Sequence, residues 1–222
     1  MMLIEPKSKL LMIGDSITDC GRAFPIGETI NDGLGIGYVS LINALLMVSY
    51  PTHQIRTVNM GISGNTVLDL ERRWESDVLG LNPDWLSVLI GINDVWRHFD
   101  PLSQTEELIS REKYAHILEK LVSRTRPQLK GLILMTPYFI EPNKLEPMRA
   151  MMDDFGAIVR QLALTYHAIF VDTQAAMVVA MKDIPPMSLA LDGVHPNQIG
   201  HMILARAFLS SIGFEWDLPE LI

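Results

Sequence analysis

The sequence predicts an α/β fold, a doubly wound three-layer domain with a parallel sheet. Two observations carry this. Short runs are apolar at every position, and they alternate with longer segments whose apolar residues recur every three to four positions. A strand buried on both faces shows no polar side, which is the mark of a parallel sheet covered by helices. Strand and helix in alternation, five times over, fill both faces of one sheet. A chain of 222 residues suits one core of this kind, so residues 1–222 are expected to form a single domain.

The strand runs are residues 10–13, 57–58, 85–90, 132–135 and 168–171. Thr66 and Asp69 have capping-box spacing ahead of Leu70, Trp74 and Val78, and Gly80 follows as a stop. Ser103 and Glu106 open the next helix, with Tyr114, Ile117, Leu118, Leu121 and Val122 on one face and Pro127 closing it. Pro147 starts the stripe Met148, Met151, Met152, Phe155, Val159, Leu162 and Tyr166, whose methionines read as core filling. Asp172 reads as the cap of a helix over 173–181. The last helix starts near Pro196 and Asn197 and ends at Gly213. Residues 20–37 form the longest irregular segment, and Gly33, Gly35 and Gly37 make it read as a flexible rim.

Composition narrows the function. Apolar residues make up 48% and charged residues 20%, which excludes a disordered chain. The formal net charge of −8 disfavours a nucleic-acid partner, since phosphate binding rests on Lys and Arg. Cys20 is the lone cysteine, so no internal disulfide points to an oxidising compartment. The N-terminal residues lack the apolar core of a signal peptide, and residues 10–13 are too few to span a bilayer. The expectation is a cytoplasmic protein with no membrane partner. His53, His98, His116, His167 and His201 lack metal-ligand spacing, and neither metal nor cofactor is expected.

In open α/β sheets ligands bind beyond the carboxyl ends of the strands. Three groups follow strands there: Gly14-Asp15-Ser16-Ile17-Thr18, Asn59 to Thr66, and Gly91-Ile92-Asn93-Asp94. A fourth, Asp192-Gly193-Val194-His195-Pro196, comes late in the chain. A serine hydroxyl needs a base to become a nucleophile, and histidine titrates near neutrality. A tight turn across Gly193 would let Asp192 accept from the His195 ring and fix its tautomer. The N–H groups of Ser16 and Gly64 and the Asn93 amide are candidate donors to an oxyanion. Taken singly, Ser16 is equally a helix cap, and Asp192 with His195 a surface turn; their common placement favours chemistry. Ser63 is a rival nucleophile without an assigned base. Asp15 and Asp94 read as partners of loop backbone. The α/β-hydrolase fold requires Gly-x-Ser-x-Gly, and Thr18 stands where its second glycine belongs.

The four groups, with Ser16, Gly64, Asn93 and His195 in order, resemble the blocks of the SGNH (GDSL-type) hydrolase family. The resemblance implies a flavodoxin-like α/β/α sandwich with a five-stranded parallel sheet, and a serine esterase. Residues 61–70, 90–97, 133–137, 170–176, 195–208 and 213–216 look like bacterial intracellular acetylxylan esterases of that family, which implies removal of acetyl groups from xylo-oligosaccharides and related sugars. By the same resemblance a homo-oligomer is expected, with residues 213–222 as a candidate contact. Residues 22–33, 141–146 and 182–190 depart from the family and are candidate pocket segments. Asn65, Trp96, Arg97 and Tyr138 are candidate substrate-binding residues, with Phe139 beside them; for each of these aromatics a place in the core is an equal reading. Two other readings stay open: another SGNH esterase, a lysophospholipase or thioesterase, and a non-catalytic carbohydrate-binding relative. A phosphodiesterase is weaker, for want of metal-ligand clusters.

Overall fold

In the computed structural model, residues 2–100 and 107–216 are described. Five strands form one sheet: β1 (Lys9–Gly14), β2 (Arg56–Gly61), β3 (Trp85–Leu89), β4 (Gly131–Met135) and β5 (Ile169–Val171). Their order is β2-β1-β3-β4-β5, and every neighbouring pair is parallel. This is the flavodoxin-like order, with its switch point between β1 and β3. Leu10, Leu11, Met12 and Ile13 are fully buried, as a run without polar positions requires.

The register levels the carboxyl ends. Gly14 pairs with Gly61 and Leu89, Leu89 with Met135, and Met135 with Val171. The segments after all five strands therefore leave the sheet along one line.

The helices are α1 (Ser16–Asp19), α2 (Tyr38–Ser49), α3 (Val67–Trp74), α4 (Ile92–Trp96), α5 (Arg111–Thr125), α6 (Pro147–Thr165), α7 (Thr173–Ala180) and α8 (Gln198–Ser211). α2, α8 and α7 pack as neighbours, and α3, α5 and α6 form a second group. The capping box at Thr66 and Asp69 is present, with Thr66 N–H donating to Asp69 Oδ2 at 2.9 Å. Glu146, Asp172 and Asn197 cap α6, α7 and α8. Among the described residues, no helix is long and apolar enough to cross a membrane.

Several sequence expectations are corrected. The helix start at Ser103 and Glu106 lies outside the described residues; the described helix begins at Arg111, where Ser110 Oγ accepts from Lys113 N–H at 3.2 Å. β2 runs on to Gly61, because Asn59 keeps a polar side chain inside the sheet by satisfying it. Its Nδ2 donates to Thr18 O (2.7 Å) and Leu34 O (2.9 Å), and its Oδ1 accepts from Gly61 N–H (2.9 Å). The same bond to Leu34, with Ile36 N–H on Cys20 O at 2.9 Å, pins the rim that reads as flexible. α2, which the sequence reading does not single out, buries Tyr38, Val39, Ile42 and Leu46 and packs on α8.

The α3–α5 contact yields a stability test. The Trp74 indole N–H donates to Thr125 Oγ1 at 2.8 Å, and both side chains are buried. Thr125→Val keeps the shape but strands the indole donor, at a cost of about 1–3 kcal/mol. The urea midpoint should fall accordingly, with the m-value unchanged.

Candidate active site

Ser16 is the first residue of α1, directly beyond β1. Asp15 caps this short helix, its Oδ1 accepting from Ile17 N–H at 3.0 Å. Such a position exposes the backbone N–H of Ser16, since the first donors of a helix have no partner within it.

Residues 192–195 form a turn shaped by one carboxylate. Asp192 Oδ1 accepts from Val194 N–H (2.9 Å) and His195 N–H (2.8 Å). Gly193 occupies φ +73°, a left-handed conformation that this turn requires and glycine adopts without strain. Asp192 Oδ2 meets His195 Nδ1 at 2.7 Å, and His195 Nε2 meets Ser16 Oγ at 2.9 Å. A carboxylate only accepts, so Nδ1 carries the proton and Nε2 is left to accept from the serine hydroxyl. Burial pushes the Asp192 carboxyl up, but the His195 ring and the two backbone N–H groups outweigh it and hold the group below its ordinary value. The His195 and Asp192 side chains are 46% and 44% exposed, leaving the base open to a bulky partner on its outer side.

Gly64 and Asn93 stand beyond β2 and β3. Gly64 has φ +79°, and a Cβ there would meet no protein atom within 4 Å. Backbone conformation, rather than crowding by the protein, demands glycine here. Asn93 Nδ2 donates one of its two hydrogens to Asn65 O at 2.9 Å, leaving one for another acceptor. Among the described residues, neither the Ser16 nor the Gly64 N–H donates to a protein acceptor. Arg97 donates to Gly64 O at 2.9 Å, and Asn65 Oδ1 accepts from Arg73 Nε at 2.8 Å, so both candidate binding residues brace this loop. Asp94 Oδ1 accepts from Val67 N–H at 3.0 Å at the start of α3, tying the Asn93 segment to the Gly64 segment.

Tyr138, open between pocket wall and core, goes to the core and drops out as a substrate-binding residue: it is fully buried and donates to Val194 O at 3.3 Å, so it supports the turn from behind. Trp96 instead lies edge-on to the His195 ring, with centroids 5.8 Å apart. Ser63 Oγ donates to Asp19 Oδ2 at 2.8 Å, which supplies no proton-accepting imidazole. His201 accepts from Tyr38 N–H at Nδ1 (3.2 Å), and burial pushes it down to about 4. Burial also raises the Cys20 thiol, which makes a thiolate unfavourable.

Two recesses flank the site. One of about 120 Å³ is lined by Asn93, Trp96, Arg97 and Asp100. The other, about 500 Å³, is lined by Met187, Ala190, Leu191, Asp192, His195, Pro196 and Asn197, so the candidate pocket segment 182–190 reaches the site. Arg22, in the candidate pocket segment 22–33, is buried and donates to Gly61 O at 2.6 Å, Ala23 O and Pro25 O. Arg73 ties Gly14 O, Met60 O and Asp77 together. Both arginines escape sequence reading, because a bracing arginine has no local pattern.

A model of the GDSL-like lipase/acylhydrolase family matches residues 12–203. An acetylxylan esterase of Geobacillus stearothermophilus is 54% identical over 215 residues, covering 97% of this chain and 98% of that protein. A crystal structure of an acetylxylan esterase from that organism superposes with a TM-score of 0.96 at 52% identity, over 99% of this chain and 100% of that one. Three further structures of it are catalytic mutants, in which alanine replaces a serine, an aspartate or a histidine. An alpha/beta hydrolase enzyme from the metagenome of Lake Arreo, Spain, superposes with a TM-score of 0.94 at 46% identity, over 96% and 99% of the two chains.

The buried carboxylates beneath the site generate a pH test. Burial pushes Asp15 and Asp94 up to about 7, and for Asp15 the Asp94 charge adds to this. A folded-state value above the unfolded one means that the folded protein holds the proton longer. The contribution of these two carboxyls to stability is then full below about pH 4 and is lost as pH rises through about 7. Asp15→Asn cannot ionise. Its thermal midpoint should gain on the wild type across that window, and parallel midpoint–pH curves would refute the titration of Asp15.

Proposed function

This chain belongs to the GDSL-like lipase/acylhydrolase family, and we propose that it is a serine esterase that removes acetyl groups from acetylated sugars such as xylo-oligosaccharides. The observation that carries the reading is the unbroken chain of hydrogen bonds from Asp192 through His195 to Ser16. The catalytic mutants of the Geobacillus enzyme involve the same three residue types. Its 54% identity over almost the whole chain supports the substrate class.

In this reading Ser16 Oγ attacks the acetyl carbonyl carbon while His195 Nε2 takes the hydroxyl proton. Asp192 keeps the ring oriented and stabilises the imidazolium. The developing oxyanion receives the N–H groups of Ser16 and Gly64 and the second hydrogen of Asn93 Nδ2. Collapse breaks the ester bond, and His195 returns its proton to the departing sugar oxygen. Water then enters, gives a proton to the same imidazole and attacks the acetyl-enzyme. Collapse of the second tetrahedral intermediate breaks the bond between the acetyl carbon and Ser16 Oγ, His195 gives the water-derived proton back to that oxygen, and the acetyl group departs as acetic acid carrying the hydroxyl of water.

The 120 Å³ recess beside Asn93 suits a short acyl group, and the larger recess beside His195 suits the sugar. Trp96 is the aromatic wall between them. A cytoplasmic homo-oligomer built from a single domain over residues 1–222 completes the reading. Exposed Trp216, stacked edgewise on Phe214, supports the subunit contact.

Ser16→Ala should abolish hydrolysis of 4-nitrophenyl acetate with the circular dichroism spectrum unchanged; retained turnover in a clean preparation would sink the assignment. Asn93→Ala should lower kcat by roughly 100- to 1000-fold. Acetate release from acetylated xylo-oligosaccharides should exceed hydrolysis of octanoyl esters by the wild type. The opposite preference would establish the lysophospholipase or thioesterase reading.

A further inference from the structure

The turn that carries Asp192 and His195 is open to solvent on its outer side, so the support it has beyond its own Asp192 hydrogen bonds comes from the inner side. That side is the stretch 138–140, which has left the sheet: Thr136 N–H on Val171 O, at 3.0 Å, is the final ladder bond of this strand. Beyond it one side chain takes up both main-chain groups of Phe139. Phe139 N–H donates to Gln174 Oε1 at 2.8 Å, and Gln174 Nε2 donates to Phe139 O at 3.0 Å. A primary amide carries the donor and acceptor of a peptide group. Gln174 thus stands in for the missing strand partner.

The amide has a fixed origin. Gln174 is 7% exposed in the first turn of α7. Thr136 Oγ1 accepts from Thr173 N–H (3.0 Å) and Gln174 N–H (3.3 Å), and Thr173 Oγ1 donates to Thr136 O. The start of α7 is therefore bolted to the end of β4. On the other side, Phe139 and Ile140 grip Gly193. A Cβ at residue 193 would lie 2.6 Å from Phe139 Cε2, and Ile140 N–H donates to Gly193 O at 2.8 Å. Gly193 is held between an aromatic ring and a backbone donor, and it sits between the carboxylate and the imidazole that its turn must align.

We infer that Gln174 is a positioning residue for ester hydrolysis, acting through Phe139 and Gly193 on the Asp192–His195 pair. The inference rests on the reading that this pair is the catalytic base of Ser16. Gln174 touches neither, so its effect falls on the geometry of proton transfer and spares the sugar recess.

The test uses Gln174→Met, which keeps length and volume without hydrogen bonds, and Gln174→Glu, which keeps an acceptor for Phe139 N–H. Active sites are titrated with a fluorophosphonate probe, so that misfolded protein does not count. For Gln174→Met, kcat on 4-nitrophenyl acetate per titrated site should fall roughly 10- to 100-fold with KM little changed, as a small misplacement of reacting groups does. The rate of probe labelling should fall by the same factor. Gln174→Glu should lie between this variant and the wild type. If Gln174→Met fails to fold, the reduced kcat of Gln174→Glu decides alone. A lower thermal midpoint with unchanged kcat per titrated site in either folded variant would overturn the inference, leaving only a structural role. A wild type that the probe does not label would sink the esterase reading itself, which keeps the two failures apart.

Discussion

Ser16 and His195 stand 179 positions apart, and their side chains meet at 2.9 Å. Proton transfer tolerates little error at that contact, so the architecture must place two remote loops together to within a fraction of an ångström. The parallel register does half of this. By levelling the ends of β1, β2 and β3, it sets Ser16, Gly64 and Asn93 beyond one edge of the sheet. His195 has no strand of its own and arrives on the turn ahead of α8, so it depends on what grips that turn.

The grip is distributed between the turn and its backing. Asp192 spends one oxygen on two backbone donors and the other on the ring. The group that orients the imidazole thus also folds the loop carrying it, and removing it disturbs both. Tyr138, Phe139 and Ile140 press on the turn from within. The side facing solvent carries no comparable load, which leaves the exposed half of the imidazole free for the alcohol portion of an ester.

The same edge holds polar groups that a core without a task would exclude. Arg22 and Arg73 are spent on main-chain oxygens at the strand ends, and Asn59 on that of Thr18 in α1. Asp15 and Asp94 are fully buried carboxylates, and one oxygen of Asp15 has no hydrogen-bond partner among the described residues. Burying them costs stability at neutral pH. In exchange, α1 starts where Ser16 is needed, and the Asn93 and Gly64 segments are joined.

The sequence alone determined the elements whose signals are local. Apolar runs marked four strands nearly to their ends, the helix caps at Thr66, Asp172 and Asn197 were legible, and the short spacing of Asp192 and His195 announced a turn. It did not reveal that β2 continues through Asn59, because the partners that satisfy a buried amide come from residues 18 and 34. It left Tyr138 open between a pocket wall and the core, since a position just after a strand fits either, and the fold buries it under Val194. Arg22, Arg73 and Gln174 carry no local pattern either, since each acts on backbone atoms that are distant in the chain. Only tertiary structure decided those pairings, because a hydrogen bond between remote groups depends on where the sheet's register puts them.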